Sequence, residues 1–123
     1  MSYDGTGPTI GIAGMLTTAP SVEEQPLVQL REWRVIQAGD RHWYLLGLRA
    51  ESTKLRMTTR IVSHEYQART WVTESGRKYV TEAAPGALLT PELLGFAAQA
   101  HGLPGDIVDV TEQVWAEMLR CRH

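Results

Sequence analysis

Cys121 stands two residues before His123 and is the one thiol in the chain. A catalytic thiol needs a fixed electropositive pocket and an ordered base. A position three residues from the C-terminus offers neither, so Cys121 reads as an incidental residue at a helix end. The four histidines, His42, His64, His101 and His123, show no ligand spacing of the HExxH or HxH kind. His101 precedes Gly102 and fits a helix C-terminus, where the dipole favours a cationic imidazole. The carboxylates are dispersed. Glu23-Glu24 falls in a Gly/Pro-rich stretch, and Asp106 and Asp109 flank a helix start. No pair asks to be a general acid and base. The expectation is a non-enzymatic chain with no metal and no cofactor.

The basic residues form the more telling set. Arg56, Arg60, Arg77 and Lys78 fall on adjacent parts of a predicted sheet, with Trp71 and Tyr79 between them. Arginines interleaved with aromatics are one way small barrels hold single-stranded nucleic acid, with charges along the phosphates and rings on the bases. Against this, the whole chain carries a formal charge of −2, whereas a dedicated nucleic-acid binder is usually net basic. The charge is also unevenly spread. Residues 31–78 hold ten bases and five acids, and residues 79–119 hold six acids and no base. The predicted sheet is thus basic and the helical end acidic, a polarity that can steer a charged partner. Glu112 and Glu117 lie on the last predicted helix, and acids there argue against a helix-turn-helix reader of DNA.

These residues need elements to carry them. Residues 1–26 are punctuated by Gly5, Gly7, Pro8, Gly11, Gly14, Pro20 and Pro26, and read as an irregular arm with a short strand at Thr9–Ile12. Residues 27–123 read as a single α+β domain, which a chain of 123 residues accommodates. Leu27–Ala38 and Arg41–Leu48 form a hairpin about Gly39-Asp40, with Gly47 marking a bulge or bend. Leu55–Ile61 alternates, placing Leu55, Met57, Thr59 and Ile61 inward and Arg56, Thr58 and Arg60 outward. Arg69–Thr73 and Arg77–Thr81 flank Ser75-Gly76, read as a two-residue loop. That register pairs Glu74 with Arg77, Val72 with Tyr79, Trp71 with Val80 and Arg69 with Glu82. Five such strands suggest a curved antiparallel meander, an SH3-like open barrel.

The period then changes. Thr90-Pro91-Glu92 is a helix start, and Gly102 with Pro104 ends that helix. Asp109 with Glu112 resembles a capping box ahead of a second helix whose apolar stripe is Val110, Val114, Trp115, Met118 and Leu119. No run approaches the ~18 apolar residues of a membrane span. The N-terminus carries Asp4 and no early Lys or Arg, unlike a signal peptide. The expectation is a cytoplasmic protein.

The stretch LRMTTRIVSHEYQARTWVTESGRKYVTEAAPG, from Leu55 to Gly86, resembles a pattern recurring in small uncharacterised proteins of proteobacteria and their phages. The resemblance implies a setting in which small proteins bind host machinery, as anti-CRISPR inhibitors do. Together, these readings lead to a protein-binding domain, with a nucleic-acid-binding module as the alternative. The residues expected to meet a partner are Arg56, Arg60, Trp71, Arg77, Lys78, Glu112 and Glu117.

Overall fold

The β-branched and aromatic runs of the first half fold as strands and the Leu/Ala-rich segments of the second half as helices, in a computed structural model that describes residues 21–121. The elements are β1 (Leu27–Gln37), β2 (Trp43–Arg49), β3 (Leu55–Glu65), β4 (Thr70–Thr73), β5 (Lys78–Val80), α1 (Pro91–Ala100), β6 (Val108–Asp109) and α2 (Thr111–Arg120). The α+β class and the antiparallel core are as expected. The arm at residues 1–20, its strand at Thr9–Ile12, and His123 lie outside the described residues.

Two eleven-residue strands organise the sheet. β1 pairs in parallel with β5 through Leu27–Gln29, then antiparallel with β2 through Leu30–Gln37. β3 pairs with β2 through Leu55–Arg60, then with β4 through Ile61–Glu65. With β4 paired to β5, the hydrogen bonds close into a ring. This departs from the expected open meander in two ways: β5 runs parallel to β1, and the two-residue β6 adds to the outer flank of β1 at Ile36–Gln37.

β1 turns between its two partners at a bulge. Its register shifts between Arg31 and Arg34, and Glu32 takes the left-handed conformation, φ 53°. Gly47 on β2 faces that bulge, where a Cβ would lie 3.0 Å from the Arg31 carbonyl oxygen and 3.3 Å from Trp33 Cα. The bend foreseen at Gly47 therefore belongs to the partner strand, and Gly47 gives it room.

The sheet is buried on both faces. Ile36, Tyr44, Leu46, Leu48, Leu55 and Met57 pack against Leu94, Ala97 and Ala98 of α1. Trp33, Val35, Leu45, Trp71 and Tyr79 fill the other side with Val114 and Met118 of α2. Double burial explains why β2 reads WYLLGL, apolar at nearly every position rather than at alternate ones. It also corrects the reading of β3. Arg56 and Thr58, expected to face outward, are 2% and 1% exposed because their face is the ring interior. Three indoles knit that interior, Trp33 lying 6.1 Å from Trp71 and 6.2 Å from Trp115. Such pairs contribute about 0.5–1.5 kcal/mol each beyond area burial.

The β4–β5 register is shifted by one residue from the expected one. Thr70 faces Val80, Trp71 faces Tyr79 and Val72 faces Lys78. The loop is Glu74-Ser75-Gly76 rather than Ser75-Gly76, closed by the Thr73 N–H on the Arg77 carbonyl at 3.1 Å, with Gly76 at φ +92°. The shift places both large aromatics, Trp71 and Tyr79, in the core, and a one-residue slip would turn one of them out. The expected charge pairs dissolve accordingly. Arg69 donates to the Glu82 backbone carbonyl and stacks over Trp115, while Glu74 pairs with Arg60.

The helix ends follow from local chemistry. Thr90 Oγ1 accepts the Leu93 N–H at 3.3 Å and Pro91 opens α1, as read from the sequence. The capping box at α2 does not form. Asp109 Oδ1 accepts the Thr111 N–H at 3.0 Å, two residues on, and Glu112 turns toward Arg34 instead of reaching back.

The segment after β5 is strapped across the β1 bulge by three consecutive residues. Trp33 Nε1 donates to the Ala83 carbonyl at 2.8 Å, Arg34 Nη1 to the Gly86 carbonyl at 2.7 Å, and Glu32 Oε1 accepts the Leu88 N–H at 3.2 Å. A Cβ on Gly86 would fall 2.8 Å from Glu32 Cα and still closer to its carboxylate. Gly86→Ala is therefore expected to destabilise the fold by about 1–3 kcal/mol in urea unfolding. Glu32→Gly in the same chain should restore part of that loss, since it clears the clash and suits the positive φ; a double variant no more stable than Gly86→Ala would refute the strap.

Candidate functional site

The late half of β3 outruns β2. Tyr44 pairs with Arg60, and β2 begins one residue earlier at Trp43, so Ile61–Glu65 has β4 on one flank and no strand on the other among the described residues. The turn before β2 is the cause. Asp40 Oδ1 accepts the His42 N–H and Asp40 Oδ2 accepts the Tyr44 hydroxyl, both at 2.9 Å, while Arg41 sits at φ 72°. This Asx-type closure reverses the chain and stops β2 short. The backbone bond to His42, chiefly, holds the Asp40 carboxyl below its ordinary value. Burial, reinforced by the bond to Asp40, pushes the Tyr44 phenol up to about 12.

A groove of about 450 Å³ lies along the open flank, with Arg41, His42 and Trp43 on one side and Ile61–His64 on the other. Val62 is 49% exposed within it. The walls are held in place: Trp43 Nε1 donates to Gln37 Oε1 at 3.0 Å, and His64 stacks on Tyr66 with centroids 4.0 Å apart and planes 8° apart. No carboxylate lines the groove. A strand flank of this kind presents backbone donors and acceptors to an added strand, and alternate side chains determine which strand fits.

The residues singled out from sequence do not assemble as one face. Trp71 is fully buried in the core. Arg56 and Arg77 are 2% and 4% exposed, drawn inward because Arg56 shares the ring interior with Tyr79 and Arg77 precedes it at strand spacing. The two meet at Gln25: Arg56 Nη2 donates to Gln25 Oε1 at 3.2 Å and Arg77 Nε to the Gln25 carbonyl at 2.8 Å. Arg60 is half-buried and ion-paired with Glu74 at 3.5 Å, and Lys78 is exposed. The basic sheet face is thereby broken up. Arg41, His42, Val62 and His64 were not foreseen as a group, because the β2–β3 register brings them together across nineteen or more intervening residues.

The acids at the helical end are largely engaged. Arg34 Nη2 lies 2.8 Å from Asp109 and Nη1 lies 3.4 Å from Glu112, while Glu117 pairs with Arg120 one turn on. Burial alone would raise the Asp109 carboxyl. The bonds it accepts from Thr111 and Arg34 together outweigh burial, and its net shift is downward. A carboxyl lowered by folding stabilises the fold above its unfolded value, about 3.9, and that stability is lost as pH falls through the lower folded value. Asp109→Asn should therefore flatten the acid limb of the urea midpoint between about pH 4 and pH 2.5. An acid limb as steep in Asp109→Asn as in the parent would exclude this coupling.

Comparison of the chain with protein-family models, with curated proteins and with solved structures found no match.

Proposed function

We propose that the chain is a non-enzymatic protein-interaction domain that takes an extended, acidic segment of a partner along the open flank of β3. The observation that carries the reading is the stretch Ile61–Glu65, flanked by strand on one side only and bordered by the Arg41–Val62 groove. An added strand would complete the hydrogen bonding there, Val62 and Ile61 would receive apolar side chains, and Arg41 would favour carboxylates. The ring closes the other sheet edges apart from β6, so this flank is where the fold leaves room for strand addition. Inhibition of a host complex, the role implied by the resemblance of Leu55–Gly86, is one use of such a surface. Nucleic-acid binding is less well supported: two of its four proposed cations, Arg56 and Arg77, are buried.

The test is selection from a displayed library of short linear peptides, followed by amide chemical-shift mapping with the best binders. Selected peptides should be acidic and rich in β-branched residues, should shift amides of Trp43 and Ile61–Glu65, and should weaken with added salt. Val62→Asp, at an exposed position, should reduce their affinity about tenfold or more while leaving the melting temperature near that of the parent. Peptides lacking acidic preference, or shifts confined to α1 and α2, would overturn the proposal.

A further inference from the structure

At the opposite end of β3 from the open flank, three arginines converge. Register places Arg56 opposite Gly47, which presents no side chain there, and Arg49 follows two residues on along the same strand face. The parallel pairing of β5 with β1 brings Arg77 beside the residues that precede β1, with the Lys78 N–H on the Pro26 carbonyl at 3.0 Å. Gln25 ties the group together, its side-chain oxygen accepting from Arg56 and its backbone carbonyl from Arg77.

The cluster is under-satisfied. Arg56 is 2% exposed, yet its Nε and Nη1 are buried without a hydrogen-bond partner, and so is Nε of Arg49. A guanidinium with its donors buried and unmet is costly, and a neighbouring cation adds to the cost. Burial, first of all, lowers the tendency of Arg56 to hold its proton; Tyr79 opposes that, and Arg49 and Arg77 add to it. Neither Arg49 nor Arg56 has a carboxylate partner among the described residues. Gln25 and Arg49 also line a groove of about 630 Å³ that opens to solvent, with Glu51 and Glu82 on its rim. Solvent thus reaches the two residues that border the buried guanidinium.

We infer that Arg49, Arg56 and Gln25, backed by the charge of Arg77, form a binding site for a phosphate-type oxyanion that enters from this groove. Arginine donors in a planar fork match such an anion. The ligand would accept the unmet N–H groups and offset the clustered positive charge. The Gln25 side-chain amide, now on Arg56, would swing aside or share the ligand. This site is separate from the β3 flank and does not depend on peptide binding there.

The experiment is thermal unfolding of the full chain in sodium phosphate against sodium chloride at matched ionic strength, with ³¹P NMR titration of inorganic phosphate. Phosphate should raise the melting temperature by roughly 3–8 °C at a concentration well above its dissociation constant, and the titration should saturate at one phosphate per chain. Arg56→Met should abolish the phosphate-dependent rise and melt in chloride no lower than the parent, because it removes an unmet buried charge. If Arg56→Met does not fold, Arg49→Gln, at a half-buried position, should weaken phosphate binding about tenfold. Val62→Asp should leave the phosphate response unchanged. Equal melting in phosphate and chloride, an equal rise with acetate, or a full phosphate response in the folded arginine variants would overturn the assignment.

Discussion

The bulge in β1 at Glu32 is the constraint on which the ring depends. A straight eleven-residue strand would keep one pair of neighbours along its length. Bent at Arg31–Arg34, β1 gives its first residues to β5 and its last to β2. β3 makes the complementary change between β2 and β4, with its own register shift between Ile61 and Ser63. Two long strands that each serve two partners close the sheet without a regular barrel. The left-handed backbone at Glu32 is held by the strap of Ala83–Leu88, which takes hydrogen bonds from or gives them to Glu32, Trp33 and Arg34 in succession. Backbone strain of this sort persists where its surroundings over-determine it.

Closure decides the electrostatics as well. Once the sheet curls on itself and α1 covers the outside, both faces of β2 and of early β3 are removed from water. Side chains that an open sheet would show to solvent are then interior. Thr58 is accommodated by accepting the Leu45 N–H at 3.1 Å and donating to its neighbour's carbonyl. Arg56 is only partly accommodated, through Gln25. The difference is one of size and charge: a hydroxyl is satisfied by two backbone contacts, whereas a guanidinium has five donors and a charge to meet. The same closure confines strand addition to the place where β2 ends early, so the ring and its opening have one origin in strand length.

Arg34 shows how the helical end is fixed to the sheet. Its guanidinium spans the Gly86 carbonyl, Asp109 and Glu112. Beside it, Thr111 Oγ1 accepts the Val35 N–H at 2.8 Å. Asp109 and Glu112, read from sequence as a helix cap, are thus drawn into long-range contacts that a local capping box would have forgone. Local and tertiary partners compete for the same carboxylates, and here the buried arginine wins because its charge would otherwise be left near the core.

Some of this was legible in the chain itself. Period-2 runs and turn residues located β1 to β5 within a few residues, and Thr90-Pro91 with Gly102 bounded α1, because these signals act between near neighbours. The tight turn at Gly76 was visible too, but not its length. Whether two or three residues form that loop is settled by burying Trp71 and Tyr79 on one side, a demand of the core. The fate of Arg56, Arg77 and Trp71 was likewise beyond local reading. An alternating strand states that two faces differ, not that one of them is open to water. Only closure of β5 onto β1 turned the supposed basic face inward, and only the register of β2 on β3 gathered Arg41, His42, Val62 and His64 along one flank. Long-range pairing is decided by the summed burial of the whole ring, which no window of neighbouring residues contains.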